Sequence, residues 1–297
     1  MNVPLNYADH ISEYCCKQSI SASSNIRLGR VLNPKLLLLL LWVHQPGMDV
    51  LYAGDNEQTT NHLFAGAESF QVYQGETKDY QPLQSALSDE STISVDHLTG
   101  REAIKKFPKS NEELAEYDVV VLSDISRDTL LPHFLPDAVP GPNRPKLIKN
   151  YVSSGGALLY CGGYMSYQGY HGRGNWHDSH VADILPIEIL PVPDDRVDTP
   201  EGVDPTIKNT EHPVTQSIDE NEFPTVYGYN KTGQLKSGAE LLATVDTNNL
   251  LAAGQYNDGR VLAYTSDPSR KWGLNLIDWE GYQDFWQQGL HWLSNSA

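Results

Sequence analysis

Cys161 is the one residue in this sequence that invites covalent chemistry. It ends the apolar run ALLYC and is followed at once by Gly162 and Gly163. A buried strand closing there delivers a thiol to the edge of a sheet, and two glycines permit a sharp turn into a helix. The N-terminus of such a helix lowers a thiol pKa, and a neighbouring base would complete a nucleophile. The backbone N–H groups of Gly162 and Gly163 would then serve as oxyanion donors. The competing reading is a structural cysteine filling a small buried site, and the usual burial of cysteine favours it.

Other polar side chains stand at the ends of other apolar runs. Asp55 closes MDVLYAGD, Ser123 and Asp124 close VVVLSD, Ser166 lies just past the glycines, and Asp267 and Ser269 follow GRVLAYTS. Taken singly, an Asp or Ser in such a place is most economically a helix N-cap. Taken together, carboxylates and hydroxyls at successive strand ends could bind a polyol or sugar, or hold a metal through oxygen. Tyr164, Trp176, His177 and Trp272 fall in loops expected to rim the same edge, where flat rings could stack on a sugar. Aromatics of this kind also suit an interface between copies of the chain, the reading preferred for Trp279 and the closing helix. The expected ligand is therefore a small polar molecule, a sugar among the options, with a homo-oligomer as a further expectation. No HExxH or HxH pattern, Walker loop or GxGxxG is present, so neither a metal nor a cofactor is expected.

The elements that must position these residues follow from periodicity. Apolar runs at Val50 to Ala53, Ile93 to His97, Val119 to Leu122 and Ala157 to Tyr160 read as strands. Helical stretches at Tyr80 to Ser88, after Ser110, and at Lys146 to Ser153 separate them. This alternation predicts right-handed crossovers and a doubly wound, mostly parallel α/β sheet with helices on both faces. Antiparallel additions should follow. Ile184 to Pro191 and Pro205 to Lys208 read as short elements, and Glu240 to Val245, Leu250 to Gln255 and Arg260 to Thr265 as strands, the last two joined by an Asn257-Asp258-Gly259 turn. HPVTQSI reads as a helix start or a turn. Gly281 to Leu293 has the spacing of a closing amphipathic helix.

A net charge of −17 over 297 residues argues against nucleic acid and anionic membranes as partners. Leu36 to Val43 is too short to cross a bilayer, which takes roughly 20 apolar residues. Three cysteines, two of them adjacent, make no disulfide framework, which fits the cytoplasm. Residues 1 to 47 read as an atypical extension and 48 to 297 as the domain. Alternatively, Leu36 to Val43 forms a helix or strand packed on that domain.

The run GGALLYCGGYMSYQGYHGRGNWHDSHVADILPIEI, with MDVLYAGD, ELAEYDVVVLSDI, HPVTQSI and GRVLAYTSDPSRKWG, resembles a group of bacterial glutamine amidotransferase-like proteins often called cytoplasmic proteins. The resemblance runs from Met48 to the C-terminus and implies a flavodoxin-like, class I glutamine amidotransferase-like fold, distantly similar to ThuA-like proteins and β-galactosidase middle domains. It implies no reaction. Active members of the wider superfamily carry His-Pro-Glu at a strand end, where this chain has Asp267-Pro268-Ser269, and a glycine where this chain has Leu159. Standard glutamine hydrolysis is therefore not expected. If the site is catalytic, Cys161 would be the nucleophile and Asp267 an acid, base or orienting group. His171 or His177 could stand in as base, though such loop histidines are more often surface residues.

Overall fold

The structure is a computed structural model, and it describes residues 47–56, 58–64, 70–88, 90–131, 141–219 and 222–294. The expected extension over residues 1–47 falls outside these but for its last residue, as does the Leu36 to Val43 alternative.

The strands, in chain order, are β1 (Met48–Gly54), β2 (Gln58–Phe64), β3 (Phe70–Glu76), β4 (Ile93–Leu98), β5 (Val119–Ser123), β6 (Ala157–Cys161) and β7 (Ile187–Ile189). They continue as β8 (Arg196–Val203), β9 (Pro205–Ile207), β10 (Val226–Asn230), β11 (Thr232–Leu235), β12 (Glu240–Val245), β13 (Asn248–Tyr256) and β14 (Gly259–Tyr264). Eight of them form the main sheet in the order β4-β1-β5-β6-β14-β13-β12-β9. From β4 to β14 neighbours run parallel, and from β14 to β9 they run antiparallel. The chain is thus a doubly wound α/β domain with antiparallel additions.

The central strands are apolar because both of their faces are covered. Every residue of β5 and β6 is buried. Since successive side chains alternate, Tyr52, Val121 and Leu159 join the cluster containing Trp286 on one face. Leu51, Val120 and Leu158 join the cluster containing Phe107 on the other. The closing helix, Tyr282–Ser294, buries Tyr282, Phe285, Trp286, Leu290 and Leu293 along one stripe, the spacing that predicted it.

Helix Gly100–Lys106 shows how local chemistry fixes a boundary. Thr99 Oγ1 accepts the Glu102 N–H at 3.3 Å while the Glu102 carboxylate accepts the Thr99 N–H at 3.2 Å, a reciprocal capping box. Thr99→Ala is expected to cost about 1 kcal/mol, read as a lower urea midpoint at unchanged slope.

Three features differ from the sequence expectations. The β2–β3 hairpin stands apart from the main sheet, and neither QTTNHLF nor FQVYQGE announces it by a clean alternation of apolar and polar residues. Ile184 ends a helix (His180–Ile184) instead of opening a strand, because Pro186 turns Leu185 to an extended backbone. The additions also include two small antiparallel pairs, β10 with β8 and β11 with β7. What matters for the site is register: Gly54 lies beside Ser123, Ser123 beside Cys161, and Cys161 beside Tyr264. Four strand ends therefore form one row.

Candidate functional site

Immediately past that row the chain supplies Asp55, Asp124 and, two residues beyond Thr265, Asp267. Asp55 (φ 49°) and Asp124 (φ 42°) adopt left-handed backbones that side-chain-bearing residues seldom enter, a strain of the kind concentrated at functional sites. These residues are not N-caps. The helices with side-chain caps are capped by Thr99, Ser110, Ser126, Asn143 and Ser179.

The three carboxyls are buried, with Asp267 0%, Asp55 2% and Asp124 6% exposed. Asp55 accepts the Tyr52 hydroxyl. Asp124 Oδ1 accepts the Met165 N–H at 2.6 Å, and its Oδ2 accepts Lys271 Nζ at 2.9 Å. Asp267 Oδ1 accepts the Ser269 N–H at 2.7 Å and the Ser269 hydroxyl at 2.6 Å, while its Oδ2 has no hydrogen-bond donor. Burial, and then the charges of Asp267 and Asp124, hold the Asp55 carboxyl well above the usual range. Burial, followed by the Asp124 charge, pushes Asp267 up to about 7, with Lys271 and the Ser269 donors pulling the other way. This is like-charge crowding in a poorly solvated place, relieved by one lysine.

Cys161 shares this environment, and the consequences run against an activated thiol. It is fully buried, and burial raises its pKa, with the Asp55 and Asp267 charges adding to the rise and the Ser123 hydroxyl offsetting part of it. No helix begins at the glycines. Residues 162–179 instead pass through left-handed turns at Gly163, Tyr167, Gly169, His171, Gly172, Asn175 and Asp178, and the next α-helix starts at His180. The Gly162 N–H donates to the Tyr264 and Ser266 carbonyls at 2.8 and 2.9 Å, and the Gly163 N–H to Asn230 Oδ1 at 2.9 Å. Both expected oxyanion donors are therefore already committed. The candidate bases look elsewhere: His171 Nδ1 is 3.8 Å from Asp194 and His177 Nδ1 is 3.1 Å from Asp178.

The aromatic residues divide. Trp176, expected at the rim, is a core residue: it is fully buried, its Nε1 donates to the Ile125 carbonyl at 2.8 Å, and its ring meets Tyr160 edge-on. A large ring whose N–H finds a buried acceptor gains more from complete burial than from a loop surface. Trp272 is 3% exposed and donates to Asp198 at 3.0 Å. Tyr164 does reach the rim, with its ring under the Arg196 guanidinium at 4.6 Å and the Lys271 ammonium at 5.2 Å. Ser166 is buried with its hydroxyl turned inward, and Ser123 lies against Asp55 and Cys161.

Sequence reasoning missed Lys271, Arg196, Asp195 and Asn230. Lys271 lies four residues after Asp267 in an already suspect run, next to Arg270, so a basic pair just past a strand-end acid was a readable signal. Asp195 and Asn230 had none, because they come from the antiparallel additions. Asp195 accepts the Gln168 and Gly169 N–H groups, each at 2.8 Å, and Asn230 Nδ2 at 2.9 Å, which pins the loop over the sheet edge.

Two cavities lie away from these residues. One of about 540 Å³ is walled by Tyr117, Tyr151 and Gly155, and one of about 640 Å³ by Asp204, Phe223 and Trp279. Among the described residues no group of three His, Cys, Asp or Glu side chains is arranged to hold a metal ion, and no helix is long and apolar enough to cross a membrane.

A family model described as "Putative glutamine amidotransferase" matches residues 49–295. The cytoplasmic protein STM3548 of Salmonella typhimurium is 30% identical, with a TM-score of 0.76 over 82% of this chain and 98% of its own. The cytoplasmic protein STM1381 of Salmonella typhimurium LT2 is 32% identical, with a TM-score of 0.77 over 83% of this chain and 99% of its own. A "putative thua-like protein" of Parabacteroides merdae, 12% identical with a TM-score of 0.53 over 84% and 90% of the two chains, shares the fold. No curated protein matches the chain.

Proposed function

We propose, from the premise that this chain belongs to the glutamine amidotransferase-like family, that it performs no glutaminase chemistry and binds a small polar ligand at the carboxyl edge of its parallel strands. The observation that carries this reading is the pairing of a buried thiol with crowded carboxyls, where a glutaminase needs a base and free oxyanion donors. An unpartnered carboxylate oxygen at the same edge supports a binding role, since a buried polar atom without a hydrogen bond is costly to keep. A sugar stacked on tryptophan draws little support, because Trp176 and Trp272 are buried. The ligand contacts are assigned to Asp55, Asp124 and Asp267, with Tyr164 as a wall and Lys271 standing over Asp124. The names of the Salmonella relatives support a cytoplasmic location. The start of β1 at Met48 and of the family match at residue 49 support a domain running from residue 48 onward.

Incubation with glutamine is expected to release no ammonia. In the folded protein at pH 8, a maleimide should modify Cys161 at least ~100-fold more slowly than in urea, because a buried, uncharged thiol is a poor nucleophile. Peptide mass spectrometry separates this cysteine from Cys15 and Cys16. Rapid labelling of folded Cys161, or ammonia release that Cys161→Ala abolishes, would sink the proposal.

A further inference from the structure

We propose that the acid cluster at the sheet edge takes the ammonium group of a small organic amine, and that Lys271 occupies this position as a tethered substitute. The inference rests on the reading of this edge as a ligand site. Three buried carboxyls converge there, and Asp267 Oδ2, on a residue with no exposed surface, meets no donor. Crowded carboxyls call for positive charge, which a neutral hydroxyl does not supply. Their arrangement does not suit a metal ion among the described residues.

What stands on the cluster is itself an alkylammonium. Lys271 Nζ sits 2.9 Å from Asp124 Oδ2 and 5.2 Å from the centroid of the Tyr164 ring, a carboxylate and an aromatic wall that together describe an ammonium site. The lysine side chain is 24% exposed and the Asp124 side chain 3%, so the lysine closes the cluster from the solvent side. Its flexible four-carbon stem lets the ammonium move aside, and a ligand ammonium that takes its place keeps Asp124 paired. A ligand ammonium has three donors; one would replace Lys271 on Asp124 and another would supply the missing bond to Asp267. Tyr164 already receives a second cation, Arg196, at 4.6 Å, so its face is electrostatically suited to the task.

The test is chemical replacement in the full chain, titrating ethylammonium chloride against sodium chloride at equal ionic strength and following the thermal midpoint. Lys271→Ala should lower the midpoint, and ethylammonium should restore it with a half-saturating concentration at least ~10-fold below that of the unsubstituted protein, since the internal competitor is gone. Adding Asp124→Asn should abolish the response. Lys271→Met, which keeps the stem, serves if the alanine variant does not fold. The inference is overturned if the lysine variants respond equally to the two salts, or if the Asp124→Asn double variant is rescued as well as the single one. Ammonia release and Cys161 labelling are separate measurements, so a failed amine titration leaves the non-glutaminase reading standing.

Discussion

Asp267→Asn should stabilise the protein above neutral pH and flatten its dependence on pH. The Asp267 carboxyl is pushed up to about 7 in the folded state from an ordinary value of 3.8. Between those values the folded chain holds a proton that the unfolded chain has released, so stability falls as pH rises through the window. The full difference corresponds to about 4 kcal/mol, at roughly 1.4 kcal/mol per pH unit. Asparagine resembles the protonated acid: its Oδ1 can keep both Ser269 donors, and it carries no charge against Asp124. Its advantage should therefore grow by about 2 to 3 kcal/mol between pH 5 and pH 8, measured as urea unfolding free energy. The groups facing Asp267 are Asp124, Asp55, Cys161, Tyr264 and Tyr282, with Lys271 as the cation. Asp55 is raised in the same direction and stays in the variant, so some slope should persist. An advantage of equal size at both pH values would mean that Asp267 is not the titrating group.

The parallel half of the fold was legible because its physics is local. VVVLS and ALLYC are near-continuous apolar runs, as strands covered on both faces must be, and Asp124 after the first and Cys161 at the end of the second mark the sheet edge without further information. The same local reading failed where distant contacts decide. Trp176 looks like a loop aromatic until the Ile125 carbonyl and Tyr160 are seen beside it, 51 and 16 residues earlier in the chain. The two glycines after Cys161 looked like an entrance to a helix. Their N–H groups instead satisfy Asn230 and the β14 exit, partners no spacing rule connects to them. The replacement of His-Pro-Glu by Asp267-Pro268-Ser269 was visible in the sequence, but its effect on Cys161 was not. Whether a carboxylate activates or suppresses a thiol depends on solvent and on neighbouring charge, and both are set by the assembled sheet edge.

Gly54→Ala should be among the most damaging single changes in the chain, at about 4 kcal/mol or more. Gly54 has φ +120°, and a Cβ there would lie 1.7 Å from the Ser123 carbonyl oxygen and 3.2 Å from the Ile125 Cβ. Backbone strain and overpacking each cost of order 1–3 kcal/mol, and at this position they act together on the parallel β1–β5 pairing. Gly155→Ala separates the two terms. Its φ is +103°, but a Cβ there meets nothing within 4 Å, so only the strain remains, about 1 kcal/mol or slightly more. If the two variants lose the same stability, then β1 and β5 are not as close at this point as the structure places them. The comparison also bears on the site. The Asp55 N–H donates to the Ser123 carbonyl at 3.0 Å, so the approach that excludes a side chain at Gly54 is the one that sets Asp55 beside Ser123 and Asp124. A Gly54→Ala protein that still folds should therefore also relieve the crowding at Asp55, and with it part of the pH dependence that persists in Asp267→Asn.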